Sequence, residues 1–138
     1  MSTTFTDRCN STFTKPLGTF ASPYYPLMYS PAYCTYTINA PAGKVITISF
    51  SKFDVGPPPF NSLCYNDVLI IYDKSVTFSA NTKVLCGNNV TSYTSKTNKV
   101  ILVFQATTKN SYTGFSANYM INSPENPSKS CIMHLYYY

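Results

Sequence analysis

The side chains of this chain able to do chemistry beyond packing are few: five cysteines, the carboxylates Asp7, Asp54, Asp67, Asp73 and Glu125, and one histidine, His134. The cysteines stand at 9, 34, 64, 86 and 131, with no C-x-x-C pair among them. Zinc requires closely spaced Cys and His ligands, so this spacing argues against a metal. Wide spacing in a chain rich in tyrosine and threonine points instead to disulfides and an oxidising compartment. The sequons Asn10-Ser11-Thr12 and Asn89-Val90-Thr91 agree with secretion and mark Asn10 and Asn89 as glycosylation candidates. A hydrolase triad would have to use His134, which lies in the tail, and no two carboxylates are spaced for acid/base work. There is no glycine-rich phosphate loop. The expectation is a chain that is not an enzyme.

The net charge is +5, yet the basic residues are scattered singly with no run of three. A nucleic-acid or heparin stripe requires clustering on one element, so nucleic acid is excluded and the lysines read as a solvated surface.

The elements that must position these residues read as strands. Only 11% of residues are charged, whereas tyrosine (13) and phenylalanine (9) are abundant, which suits half-buried sheet faces. Cys34, Tyr36 and Ile38 share one face of a strand. Lys44 to Phe53 alternates, with Ile46, Ile48 and Phe50 on one side. Segments 67–73 and 99–106 are apolar on both faces, as central strands are, while 82–86 is short and 114–121 alternates. Pro and Tyr between Phe20 and Pro31 forbid a helix and predict a loop packed by rings. No segment carries a helical apolar period. The fold class predicted is all-β, a sandwich of short antiparallel strands.

No apolar stretch reaches about 18 residues, so no membrane span is expected. The N-terminus lacks the apolar core of a signal peptide, so the leader of a secreted precursor is expected to be missing and the chain to be a fragment. Predicted boundaries are an N-terminal extension over 1–8, a domain over 9–122, and a linker with an apolar tail over 123–138. That tail, Cys131 to Tyr138, must be covered by something.

An immunoglobulin sandwich fails because the chain has no Trp and places Val84, not Tyr, two residues before Cys86. The sequence instead resembles the CUB family from Cys9 to Tyr119. The matching residues are Gly18-x-Phe20-x-Ser22-Pro23-x-Tyr25-Pro26, Cys34-x-Tyr36-x-Ile38, Ala40-Pro41-x-Gly43, Phe50-x-x-Phe53-Asp54, Cys64-x-x-Asp67, Tyr72-Asp73, Leu85-Cys86-Gly87 and Gly114-Phe115-x-Ala117-x-Tyr119. These fragments fall in family order around four cysteines in family spacing.

The resemblance implies a CUB-type, jelly-roll-like β-sandwich with Cys9 paired to Cys34 and Cys64 to Cys86, where arithmetic alone leaves three connectivities. It also implies a calcium position, because many CUB domains gather acidic ligands at one end. Those positions here are Gly56, Asp67 and Thr107, and only Asp67 is acidic. Calcium wants six to eight oxygens, so no cofactor is expected and calcium binding would be weak at best. Lys109, two residues beyond Thr107, is expected to reach the cation position and pair with Asp67. Tyr24, Tyr25, Tyr29 and Tyr33 either pack a loop over the sandwich edge or form a ligand platform; the packing reading is preferred.

The function implied is a non-catalytic extracellular protein-interaction or adhesion module, secreted or at the cell surface. Two alternatives stand beside it: a glycan-binding module like the spermadhesins, and an accessory domain of a secreted astacin-like or complement-type protease. Cys131 is left unpaired. It either begins a following module or bridges to a second chain, with residues 131–138 adding as a strand in a homo-oligomer.

Overall fold

A computed structural model describes residues 7–88, 90 and 92–124. Among them there are nine strands and no helix: β1 (Asp7–Phe13), β2 (Leu17–Ala21), β3 (Ala32–Asn39), β4 (Val45–Asp54), β5 (Val68–Asp73), β6 (Lys83–Leu85), β7 (Tyr93–Thr94), β8 (Lys99–Ala106) and β9 (Gly114–Asn122). They form two facing sheets, one in the order β1-β3-β8-β5-β6 and the other β2-β9-β4-β7.

The antiparallel expectation needs one correction. β1 runs parallel to β3, with Cys9 directly opposite Cys34. The disulfide between those two residues joins the paired strands, and the second joins Cys64 to Cys86. β1, β2 and β7 carry little apolar alternation, and the sequence does not reveal them.

Alternation decides the core. Along β3 every second residue is buried, which puts Cys34, Tyr36 and Ile38 inward. In β4 a bulge between Phe50 and Lys52 inserts one residue. The inserted residue reverses the parity, so Phe53 rejoins the buried face that holds Ile46 and Ile48. Phe115 lies at the centre, with ring centroids 5.4 Å from Phe104, 5.8 Å from Tyr36 and 6.1 Å from Phe20. The doubly apolar reading of β5 and β8 also holds: Leu69, Ile71, Leu102 and Phe104 enter this core, while Ile70, Tyr72, Ile101 and Val103 form a second cluster.

Buried tyrosines need a polar partner for the hydroxyl. Tyr36 donates to the carbonyl of Ala21 at 2.9 Å and Tyr119 to that of Lys15 at 3.0 Å. The Tyr119 ring lies so close to Gly18 that a Cβ there would stand 2.7 Å from it, which is why glycine occupies that motif position.

The registers place the loops at two poles. Loops 22–31, 55–67 and 107–113 share one, and turns 14–16, 40–44, 74–82 and 95–98 share the other.

Candidate functional site

Asp67, the residue just before β5, is fully buried. Its Oδ1 accepts the amides of Thr107 at 2.8 Å and Thr108 at 3.2 Å, and the Thr107 hydroxyl at 3.3 Å. Its Oδ2 accepts the Tyr29 hydroxyl at 2.6 Å and the Thr108 hydroxyl. The Tyr29 oxygen in turn accepts the amide of Gly56 at 2.7 Å. One carboxylate therefore ties together three loops: β2–β3 through Tyr29, β4–β5 through its own backbone and Gly56, and β8–β9 through the two threonines.

Local chain geometry makes this convergence available. Gly56 has φ +61°, and a Cβ added to it would meet the Asp67 Cβ at 2.8 Å. Tyr29 is fixed at both ends of its backbone, its amide donating to Tyr112 and its carbonyl accepting from Asn110, each at 3.0 Å. Its ring stands edge-on to Phe104 at 5.1 Å.

The electrostatics follow from neutral donors around a buried charge. Burial works to raise the pKa of Asp67, but hydrogen bonds from the Thr108 and Tyr29 hydroxyls and the Thr107 and Thr108 amides outweigh it. The net position is below the ordinary 3.8. Burial, then the Asp67 carboxylate, pushes the Tyr29 phenol well above its ordinary 10, so it stays a donor. No buried side-chain nitrogen or oxygen among the described residues lacks a partner.

The structure brings Gly56, Asp67 and Thr107 together, as the resemblance implies. Calcium does not fit them. Two of the three positions supply no carboxylate, and the Asp67 oxygens face five N–H and O–H donors whose positive ends would repel a cation. No group of three His, Cys, Asp or Glu side chains among the described residues could hold a metal.

The expected Asp67–Lys109 ion pair is corrected. Lys109 is exposed while Asp67 is enclosed, and threonine and tyrosine hydroxyls take the place assigned to the ammonium. Tyr29 packs in the core at 0% exposure, whereas Tyr24 is 60% exposed. Asn10 is exposed on β1. Asn89, Cys131, His134 and the segment 131–138 lie outside the described residues.

Sequence reasoning missed Tyr29 as the partner of Asp67, and it missed Thr108. The signal was the pair Thr107-Thr108 standing where an aspartate was expected, since adjacent hydroxyls and amides suit an anion better than a cation.

Two other aspartates are also held by neutral donors. Asp54 accepts the Thr113 amide at 3.1 Å and its hydroxyl at 3.2 Å. At the opposite pole, Asp73 accepts the Thr97 hydroxyl at 2.6 Å, the Tyr93 hydroxyl at 3.2 Å, and the amides of Lys96 and Thr97.

Around the Asp67 pole the loops display apolar side chains. Phe60 and Leu63 exchange backbone hydrogen bonds of 2.9 Å across a two-residue turn whose Asn61 and Ser62 have φ of 51° and 64°. This is the hairpin geometry that matches strand twist. Phe60, Leu63 and Tyr65 are largely exposed and line an open cleft of about 400 Å³. Tyr24, Leu27 and Met28 are exposed on the β2–β3 loop.

Comparison with known proteins agrees with this architecture. Dog (Canis lupus familiaris) cubilin is 32% identical over 124 residues, covering 88% of this chain but 3% of cubilin. The full extracellular region of zebrafish Gpr126/Adgrg6 superimposes with a TM-score of 0.71 at 26% identity, over 84% of this chain and 15% of that one. The MASP-1 CUB2 domain bound to Ca²⁺ superimposes with a TM-score of 0.68 at 26% identity, over 80% of this chain and 96% of that one. The CUB domain family matches residues 9–119, where both disulfides and the Asp67 loops lie, and the chain belongs to that family.

Proposed function

We propose that this CUB domain is a non-catalytic extracellular module that binds a protein through the loops of the Asp67 pole without calcium. The observation that carries the reading is the carboxylate at the centre of those loops. Five protein hydrogen bonds satisfy it and take the role that a bound ion would play in fixing the loop geometry. Loops set in advance lose little entropy on docking, and Phe60, Leu63 and Tyr65 offer apolar anchors of the kind that dominate interfaces. An extracellular setting is supported by two disulfides. A non-catalytic role is supported by Asp54, Asp67 and Asp73, each already occupied by protein donors.

Calorimetric titration with calcium and thermal melting in EDTA test the calcium part. The expected result is no saturable heat and an unchanged midpoint. A midpoint that rises with millimolar calcium overturns it. For the docking surface, the double variant Phe60→Ser/Leu63→Ser is expected to fold normally and to lose partners that the wild-type chain captures from secreted proteins. Identical capture by both chains rejects this surface. We further propose self-assembly through residues 131–138; an unchanged mass in light scattering after their deletion removes that part alone.

A further inference from the structure

The lysines that the sequence scatters are gathered by the topology. Lys15 lies two residues after β1, Lys44 immediately before β4, Lys74 immediately after β5 and Lys96 two residues after β7, while Lys83 and Lys99 open β6 and β8. All six stand at the pole opposite Asp67; Lys15, Lys74, Lys83 and Lys96 are exposed, and Lys44 and Lys99 are half-buried. With strands about 4.8 Å apart, the five-stranded sheet spreads its share of these cations over about 19 Å.

Nothing among the described residues neutralises them. None forms an ion pair there, and Asp73, the one described carboxylate at this pole, is 8% exposed and already held by Tyr93, Lys96 and Thr97 through neutral donors. The Lys44 ammonium reaches only the Ser123 hydroxyl, at 2.9 Å. Two clefts of about 390 and 320 Å³ open beside the lysines, their walls mixing hydroxyl and amide groups of Thr47, Thr94, Ser95, Asn122 and Ser123 with the apolar surfaces of Val45 and Pro124.

We propose that this pole binds a sulfated polysaccharide. Lysine presents a compact charge on a flexible stem, so side chains spread over the pole can follow the successive sulfates of a polymer. The mixed walls of the clefts offer hydroxyl and amide partners beside apolar surface, as a sugar ring does, to a polymer that can enter them, as the plane of a bilayer cannot. The extracellular setting supplies polyanions of this class, and the site is independent of the apolar loops at the other pole.

The test uses the intact 138-residue chain with its disulfides, immobilised heparin as the probe, and EDTA throughout. Wild-type binding is expected to persist at physiological salt and to fall steeply as salt rises. Lys74→Gln/Lys96→Gln is expected to weaken it about tenfold, while Lys52→Gln/Lys109→Gln, the same change in net charge placed elsewhere, changes it less than about twofold. Phe60→Ser/Leu63→Ser leaves it unchanged, so this site and the protein-docking surface can fail separately. Equal losses from the two lysine pairs would reduce the effect to net charge and overturn the site. So would absence of binding at physiological salt, or binding of desulfated heparin, polyglutamate or phosphatidylserine vesicles as tight as that of heparin.

Discussion

Asp67 and Tyr29 form the unit on which the partner-facing loops depend, and each residue can be tested alone. Tyr29→Phe keeps the ring against Phe104 but removes the donor to Asp67 and the acceptor for the Gly56 amide. The loss expected is about 2 kcal/mol, because buried polar groups are left unpaired, and urea unfolding measures it. Gly56→Asp restores a carboxylate at a family calcium position. It is expected to destabilise rather than confer calcium binding, because the backbone is left-handed there and a Cβ would overlap Asp67. Acid supplies a third test. The folded-state value of Asp67 lies below the unfolded 3.8, so its contribution is complete above that range and disappears as pH falls through the folded value. The stability gap between wild type and Tyr29→Phe should therefore be constant from neutral pH down to about 5 and should narrow only in strong acid.

At the level of strands and loops, the two covalent bonds act differently. Cys64–Cys86 closes 22 residues and holds the hairpin that carries Phe60 and Leu63, so Cys64→Ser/Cys86→Ser should cost about 3 kcal/mol in chemical denaturation. Cys9–Cys34 fastens the edge strand β1 to β3. Its removal should raise hydrogen exchange in β1 well before it affects β8.

What the sequence disclosed divides along the same line. β3, β4, β5, β8 and β9 announce themselves because their buried faces impose alternation or doubly apolar runs. β1 and β2 do not, because edge strands bury little and their pairing comes from partners far along the chain. The resemblance groups Gly56, Asp67 and Thr107, and the structure brings these three together. The partner of Asp67 is not legible in the same way, because Lys109 is near along the chain, whereas Tyr29 arrives from 38 residues away.

As a whole, the molecule has two unlike poles, one apolar over a buried carboxylate and one ringed with lysine. This polarity is invisible in the sequence because both sets of residues are spread over several connections, and only strand direction sorts them. Three of the acids add to it: Asp54, Asp67 and Asp73 are all at least half-buried, whereas Lys15, Lys52, Lys74, Lys83, Lys96 and Lys109 are exposed. The domain should accordingly elute late on cation exchange. Lys74→Gln/Lys96→Gln should elute earlier than Lys52→Gln/Lys109→Gln despite equal net charge, because a clustered patch meets the resin as one face.

β1 starts at the Asp67 pole and β9 finishes at the lysine pole, with β1 stapled to β3 and β9 in the middle of its own sheet. Tension applied through the chain at Asp7 and Asn122 would therefore load these strands lengthwise. Rupture would require sliding many rungs at once instead of peeling them one by one, so a tether incorporating this domain should resist stretch until the staple is reduced.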